Sequence, residues 1–231
     1  MKKYLLMAAV ALMAATGANA QSRFEPGTLT IQPRIGGTGS MLTNTPDLDI
    51  EGFSDKLDAT ATGGAFVGAD LEYQLTERFS VAAGVNYAMA GSGWEDADVT
   101  ILGDKVKLRD MKIETGYVNV PLTVNWYVAK GLALKTGVQA GFLTNAKMKM
   151  KMEESIGGGT KKTEYDEDCK DEINKFDVSI PVGLSYEFKI PFVIDARFNI
   201  GLTKVNKESD PDFKDSRNLS FVISFGYKFK L

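Results

Sequence analysis

From Leu29 onward the chain repeats one pattern, with apolar residues alternating with polar or small ones. Leu29, Ile31, Pro33 and Ile35 alternate with Thr30, Gln32, Arg34 and Gly36. The same period of two runs through residues 65–73, 79–89, 118–128, 132–142, 178–188, 192–202 and 219–231. Side chains of a strand switch faces at every residue, so each segment predicts a β-strand with one apolar and one polar face. None of the apolar faces carries a charge, whereas most of the opposite faces do.

The connectors alternate as well. Residues 75–78, 129–131 and 189–191 make tight turns, and residues 41–62, 90–116, 144–175 and 203–218 make long polar links. Aromatics gather at the short-turn ends: Tyr73, Phe79, Trp126, Tyr127, Tyr186, Phe188, Phe192, Tyr227 and Phe229. Tyr87, Tyr117, Phe142 and Phe176 form a sparser set at the other end. Amphipathic rings favour the membrane headgroup zone, and short inner turns with long outer loops are the pattern of bacterial transmembrane barrels. Each segment is close to the roughly 9–11 residues that a tilted strand needs to cross a bilayer. An unpaired backbone group in hydrocarbon costs several kcal/mol, so a spanning sheet must close on itself. The predicted fold is therefore all-β: a closed, eight-stranded antiparallel up-and-down transmembrane barrel, its interior only wide enough for side chains. Pro33, Pro121 and Pro181 fall inside predicted strands, where each removes a ladder donor, and bulges or strand ends are expected to accommodate them.

The first twenty residues stand apart. Lys2 and Lys3 precede an apolar run over residues 4–15 and the small-x-small site Ala18-Asn19-Ala20, which reads as a secretory signal peptide over residues 1–20. The barrel domain is then expected over residues 21–231, exported to the outer membrane of a Gram-negative-type cell. No later run approaches the length of a transmembrane helix. Cys169 is the single cysteine, so no internal disulfide can form, and its charged surroundings suggest an exposed position. The formal net charge is −3 and no basic block is interleaved with aromatics, so nucleic acid is not an expected partner. The chain has no histidine, which closes histidine-dependent hydrolysis and acyl transfer to it. The glycines of 62–64 and 157–159 do not lead a strand into a helix, which argues against a phosphate loop. No cofactor, metal or catalytic residue is expected, and the chain is read as a non-enzyme.

Inward-facing charges are predicted at Arg34, Lys135, Arg197 and Lys228, against Asp70, Glu72, Glu187 and Asp195. Buried charges must be paired, so these eight read either as a salt-bridged plug or as a narrow polar conduit. The carboxylate pairs Asp70 with Glu72 and Glu187 with Asp195 read as counter-ions within that network. In the third long connector, Lys147, Lys149 and Lys151 alternate with Met148, Met150 and Met152, and the Met residues keep the parity of the lipid-facing side. That stretch predicts a hairpin rising above the membrane, with lysines able to meet lipopolysaccharide phosphates and methionines offering an adaptable surface. A second raised hairpin is predicted over residues 99–108, turning near Gly103-Asp104. Glu164, Asp166, Glu167, Asp168, Asp171 and Glu172 lack the spacing of a calcium loop and read as a solvated acidic loop.

The C-terminal strand resembles that of bacterial outer-membrane barrels, polar-x-Gly-x-x-aromatic-x-hydrophobic, with Ser224, Gly226, Phe229 and Leu231 in those places. The resemblance implies that the barrel assembly machinery reads this strand. Residues 117–127, 131–141, 176–188 and 195–203 resemble the small "porin family" or PorT-like barrels of Bacteroidetes-type bacteria. It implies the barrel fold over most of the mature chain, but no particular activity. The functional expectation is a structural or surface-interaction role, with outer-membrane lipid, lipopolysaccharide and an unidentified surface or envelope protein as partners. The alternative is a small pore or carrier for modest solutes.

Overall fold

The computed structural model describes residues 21–43, 59–101, 104–156, 159–207 and 215–231. The segment read as a signal peptide lies outside them. The strands are β1 (Leu29–Thr43), β2 (Ala59–Gln74), β3 (Phe79–Trp94), β4 (Ala97–Ile101), β5 (Asp104–Ala129), β6 (Leu132–Ile156), β7 (Gly159–Asp168), β8 (Phe176–Glu187), β9 (Phe192–Gly201), β10 (Arg217–Tyr227) and β11 (Phe229–Lys230). Strands β1, β2, β3, β5, β6, β8, β9 and β10 each pair antiparallel with the next, and β10 pairs back onto β1. The sheet is thus a closed ring with no free edge around its circumference. β11 continues β10 along β1, while β4 and β7 pair with the upper parts of β5 and β6.

The distribution of polarity is inverted relative to a water-soluble domain. Ile35, Val67, Val85, Leu122, Val138 and Phe198 are all more than half exposed. The buried residues around the ring are mostly Thr, Ser, Asn, Gln and paired charges. Exposed apolar area on this scale is unfavourable in water and neutral against acyl chains, so the outer surface is that of a membrane protein. Aromatics of the short-turn girdle pack against one another there, with Phe79 and Trp126 stacked at 6.4 Å and Tyr227 against Phe229 at 4.6 Å.

Two aromatics depart from their predicted place. Tyr127 and Tyr117 are 1 % and 5 % exposed and point into the barrel, because both share the odd parity of the inward residues Asn119, Thr123 and Asn125. Ring chemistry favours the headgroup zone, but strand parity decides which face a side chain occupies.

The three prolines are held without bulges or strand ends. Each faces a two-rung gap in an otherwise continuous ladder. Pairing of β3 with β5 is interrupted at Gly84 and Val85 opposite Pro121 and Val120. Pairing of β6 with β8 is interrupted at Gly137 and Val138 opposite Pro181 and Ile180. Along β1 the ladder pauses at Gln32 and Pro33, opposite the junction of β10 and β11. The register sum is the same on both sides of each gap, so each proline costs local ladder bonds without shifting the register.

β5 and β6 have 26 and 25 residues, far more than the roughly 9–11 that cross a bilayer, so both continue outward beyond the membrane. The predicted hairpins form there as β4–β5 and β6–β7, giving a raised arm on the side opposite the short turns. The arm's predicted facing is overturned. Gly116 pairs with Asn145 but Tyr117 pairs with Leu143, leaving Thr144 as an extra residue on β6. Its hydroxyl donates to the Gly116 carbonyl at 2.8 Å. One inserted residue exchanges the faces of everything beyond it. Met148, Met150 and Met152 therefore continue the inner wall, beside Ile113 and Leu108, while the lysines face outward.

Candidate functional site

All eight predicted inward charges are buried, at 6 % exposure or less. They form two clusters, fed with partners from seven of the eight ring strands and from Lys228 at the β10–β11 junction. In the first, Asp195 is fully buried and accepts hydrogen bonds from Lys135 Nζ at 2.8 Å and Arg197 Nε at 2.8 Å, with Arg34 Nη1 in ion-pair range at 3.4 Å. Arg34 Nη2 also lies 2.8 Å from Asp70, and its guanidinium stands over the Phe66 ring at 5.2 Å. Space for Asp70 depends on Gly84, where a Cβ would lie 2.0 Å from the carboxylate. In the second cluster, Lys228 Nζ lies 2.8 Å from Glu72 and also pairs with Glu187. The Tyr127 hydroxyl lies between those two carboxylates, 2.5 Å from Glu187 and 2.9 Å from Glu72. Ser80 donates to Glu72 at 2.5 Å, and Asn125 donates to Ser80 at 2.9 Å.

The expected carboxylate couples are separated by this arrangement. Asp195 pairs in register with Ser185, not Glu187, and Asp70 and Glu72 serve different clusters. Successive inward residues are two positions apart, so neighbours along a strand reach different rungs of the interior. Tyr127 and Phe66 belong to the site, but from the sequence Tyr127 falls in the predicted aromatic girdle and Phe66 has no predicted role. The available signal was their inward parity.

Above the charges the interior is closed by neutral pairs, Asn119 to Asn86 at 3.0 Å, Gln139 to Ser179 at 3.2 Å and Asn199 to Ser220 at 3.0 Å. The space left among these residues and Tyr117 is about 30 Å³, room for about one water molecule. Below the charges, the segment 21–27 lies across the short-turn mouth. Ser22 N–H donates to the Glu77 carbonyl at 2.7 Å, Gly131 N–H to Gln21 at 3.0 Å, and Arg23 Nε to the Glu187 carbonyl at 2.6 Å. The Phe24 ring covers Lys228 Nζ at 5.5 Å. Nothing in the period-two pattern pointed to this cover, because the segment is not a strand.

The residues of the C-terminal signature divide by parity. Ser224 is fully buried, Gly226 admits the side chain of Gln32, and Phe229 and Leu231 face outward. On the arm, Lys147 pairs with Asp166 at 3.1 Å, Lys149 with Glu114 at 2.7 Å and Lys151 with Asp110 at 2.7 Å. Hydrogen bonds from Lys112 and Lys149 hold the Glu114 carboxyl below the usual carboxylate range. Among the acidic-loop residues, Asp166 is thus spent on Lys147, and Asp171 lies 3.2 Å from Lys175.

Cys169 is 7 % exposed, contrary to its charged sequence context, and packs with Leu143, Ala146, Ile173 and Val205. Burial, then the nearby Glu172 charge, pushes its thiol above the ordinary value. It is expected to resist a maleimide in the folded barrel and to react once the protein is boiled in detergent. Comparable labelling before and after boiling would contradict this packing.

Similar solved structures share little sequence with the chain. The attachment invasion locus protein of Yersinia pestis, in complex with the heparin analogue sucrose octasulfate, is 17 % identical, with 88 % of this chain and 99 % of that one covered and a TM-score of 0.45. Neisserial surface protein A is 11 % identical, covering 87 % and 97 %, with a TM-score of 0.42. OprG of Pseudomonas aeruginosa is 12 % identical, covering 90 % and 98 %, with a TM-score of 0.40. No curated protein matches the sequence. The family model of the outer membrane protein beta-barrel domain matches residues 19–207, which is most of the chain. A closed ring with an apolar exterior and paired charges inside has the architecture that this description names, and the chain belongs to the outer membrane protein beta-barrel domain family.

Proposed function

We propose that this outer-membrane protein is a closed, non-enzymatic barrel that works at the cell surface through its raised arm. The observation that supports it best is the filled interior. Two charge clusters, neutral cross-braces and the 21–27 cover lie in series, and the space among the cross-braces is about 30 Å³. A conduit needs a continuous wet path, usually with an excess of one charge at its constriction, whereas the eight charges here balance. The carboxylates are occupied by cations and hydroxyls. Within the family we read the chain as a PorT-like, Bacteroidetes-type member, exported by residues 1–20 and assembled through Ser224, Gly226, Phe229 and Leu231. The outward lysines reach lipopolysaccharide phosphates only by exchanging their carboxylate partners.

Reconstituted into planar bilayers, the protein is expected to pass no steady current. Reproducible stepwise openings would overturn the closed-barrel reading and favour a small solute pore.

A further inference from the structure

The inner wall of the arm encloses a second cavity, outside the membrane and above the plug. Its volume is about 500 Å³, within the roughly 300–1,000 Å³ typical of small-molecule sites. Trp94 on β3, Met111 and Ile113 on β5, Met148 and Met150 on β6, and Ile173 from the β7–β8 link supply its apolar lining. Two bulges build it. The extra Thr144 turns the methionines inward, and a second register shift between Arg109 and Lys112 keeps Leu108 on the inner face with Met150 and Met152. Without them the same side chains would point to solvent. Methionine is unbranched and polarizable and adapts to irregular apolar shapes.

The cavity also has a polar foot. Thr115 lines its floor at 4 % exposure, and its hydroxyl has no hydrogen-bond partner among the described residues. Trp94 Nε1, four ladder rungs away, is likewise buried without one. Buried polar groups left unpaired are costly, so each marks a place where an incoming polar group would be favoured. Lys112, Lys149 and Glu172 also line the cavity, but both lysines lie within 2.8 Å of Glu114, so the lining offers an anion no free cation and adds a carboxylate of its own.

We propose that this cavity binds an uncharged amphiphile, a hydrocarbon chain bearing one hydroxyl or carbonyl head, with the chain among the methionines and the head on Thr115. The inference extends the surface-interaction reading, since it rests on the arm being the working part. Its test does not depend on conductance, so either can fail alone.

The chain's two tryptophans allow a direct test, because Trp94 lines the cavity and Trp126 faces lipid. In nanodiscs, 11-bromoundecanol is expected to quench Trp94 saturably in the Trp126→Phe protein. In the Trp94→Phe protein it should quench Trp126 only in proportion to its partitioning into the bilayer. Placing a charge in the lining with Met150→Lys is expected to weaken the saturable phase at least about tenfold, with the heat-sensitive gel mobility of the barrel unchanged. Thr115→Val, which keeps shape and removes the foot, should weaken the alcohol and leave 1-bromoundecane unaffected. In nanodiscs of lipid brominated on its acyl chains, Trp94 should stay unquenched without added alcohol; quenching there would assign the cavity to charged bilayer lipid and overturn the uncharged ligand. Quenching of Trp94 that never saturates, or that Met150→Lys leaves unchanged, overturns the proposal.

Discussion

Asp195→Asn is expected to destabilise the barrel by about 3–5 kcal/mol, the usual cost of stranding buried charges. Asp195 has no exposed surface and is the shared anion of Lys135, Arg34 and Arg197. With its charge gone, three cations remain against Asp70 alone, at a position with no exposed surface. Urea unfolding of the protein in lipid vesicles, followed by Trp126 emission, measures the loss. Asp171→Asn is the control, because the Asp171 carboxylate is 93 % exposed beside Lys175, and solvent-screened pairs contribute little. A midpoint for Asp195→Asn no lower than that of the control would show that the network does not hold the interior. Lys135→Met added to Asp195→Leu should cost less than the two changes summed, since removing both partners strands no charge between them.

Lys228→Met is expected to cost a comparable amount, about 3–5 kcal/mol, with a different spatial signature. Lys228 is the cation between Glu72 and Glu187, and it sits where β10 gives way to β11, opposite Gln32 and one rung from Pro33. Its loss leaves two carboxylates about the Tyr127 hydroxyl at a seam that already lacks two rungs. Amide exchange should therefore accelerate first at Thr30 and Ile31, which pair with β11, and later along β5 and β6. Uniform acceleration around the ring would show that Lys228 does not lock the seam. Neutralising both anions, with Glu72→Gln and Glu187→Gln in the Lys228→Met chain, should recover much of the loss.

The ring and its two faces were legible because alternation is a local steric property of a strand and needs no knowledge of neighbours. The inward set of four cations and four anions followed from the same parity, whereas the raised hairpins were legible from strand-like alternation and a Gly-Asp turn, without their facing. Tyr127 and Tyr117 were misplaced when residue type was given more weight than parity. Cys169 was misread because charged neighbours in sequence do not exclude an apolar seat beneath Leu143 and Val205.

The eight ring strands, the facing of their alternating residues below the arm and the need for closure were thus written in the chain alone, since each follows from a period of two and from the cost of unpaired backbone in lipid. Three things were decided only by the tertiary structure: which cation meets which carboxylate, where Thr144 inserts, and what the segment 21–27 covers. Partners come from the stagger between strands around the ring, a bulge changes facing without a strong mark in composition, and a non-strand cover leaves no periodicity to read.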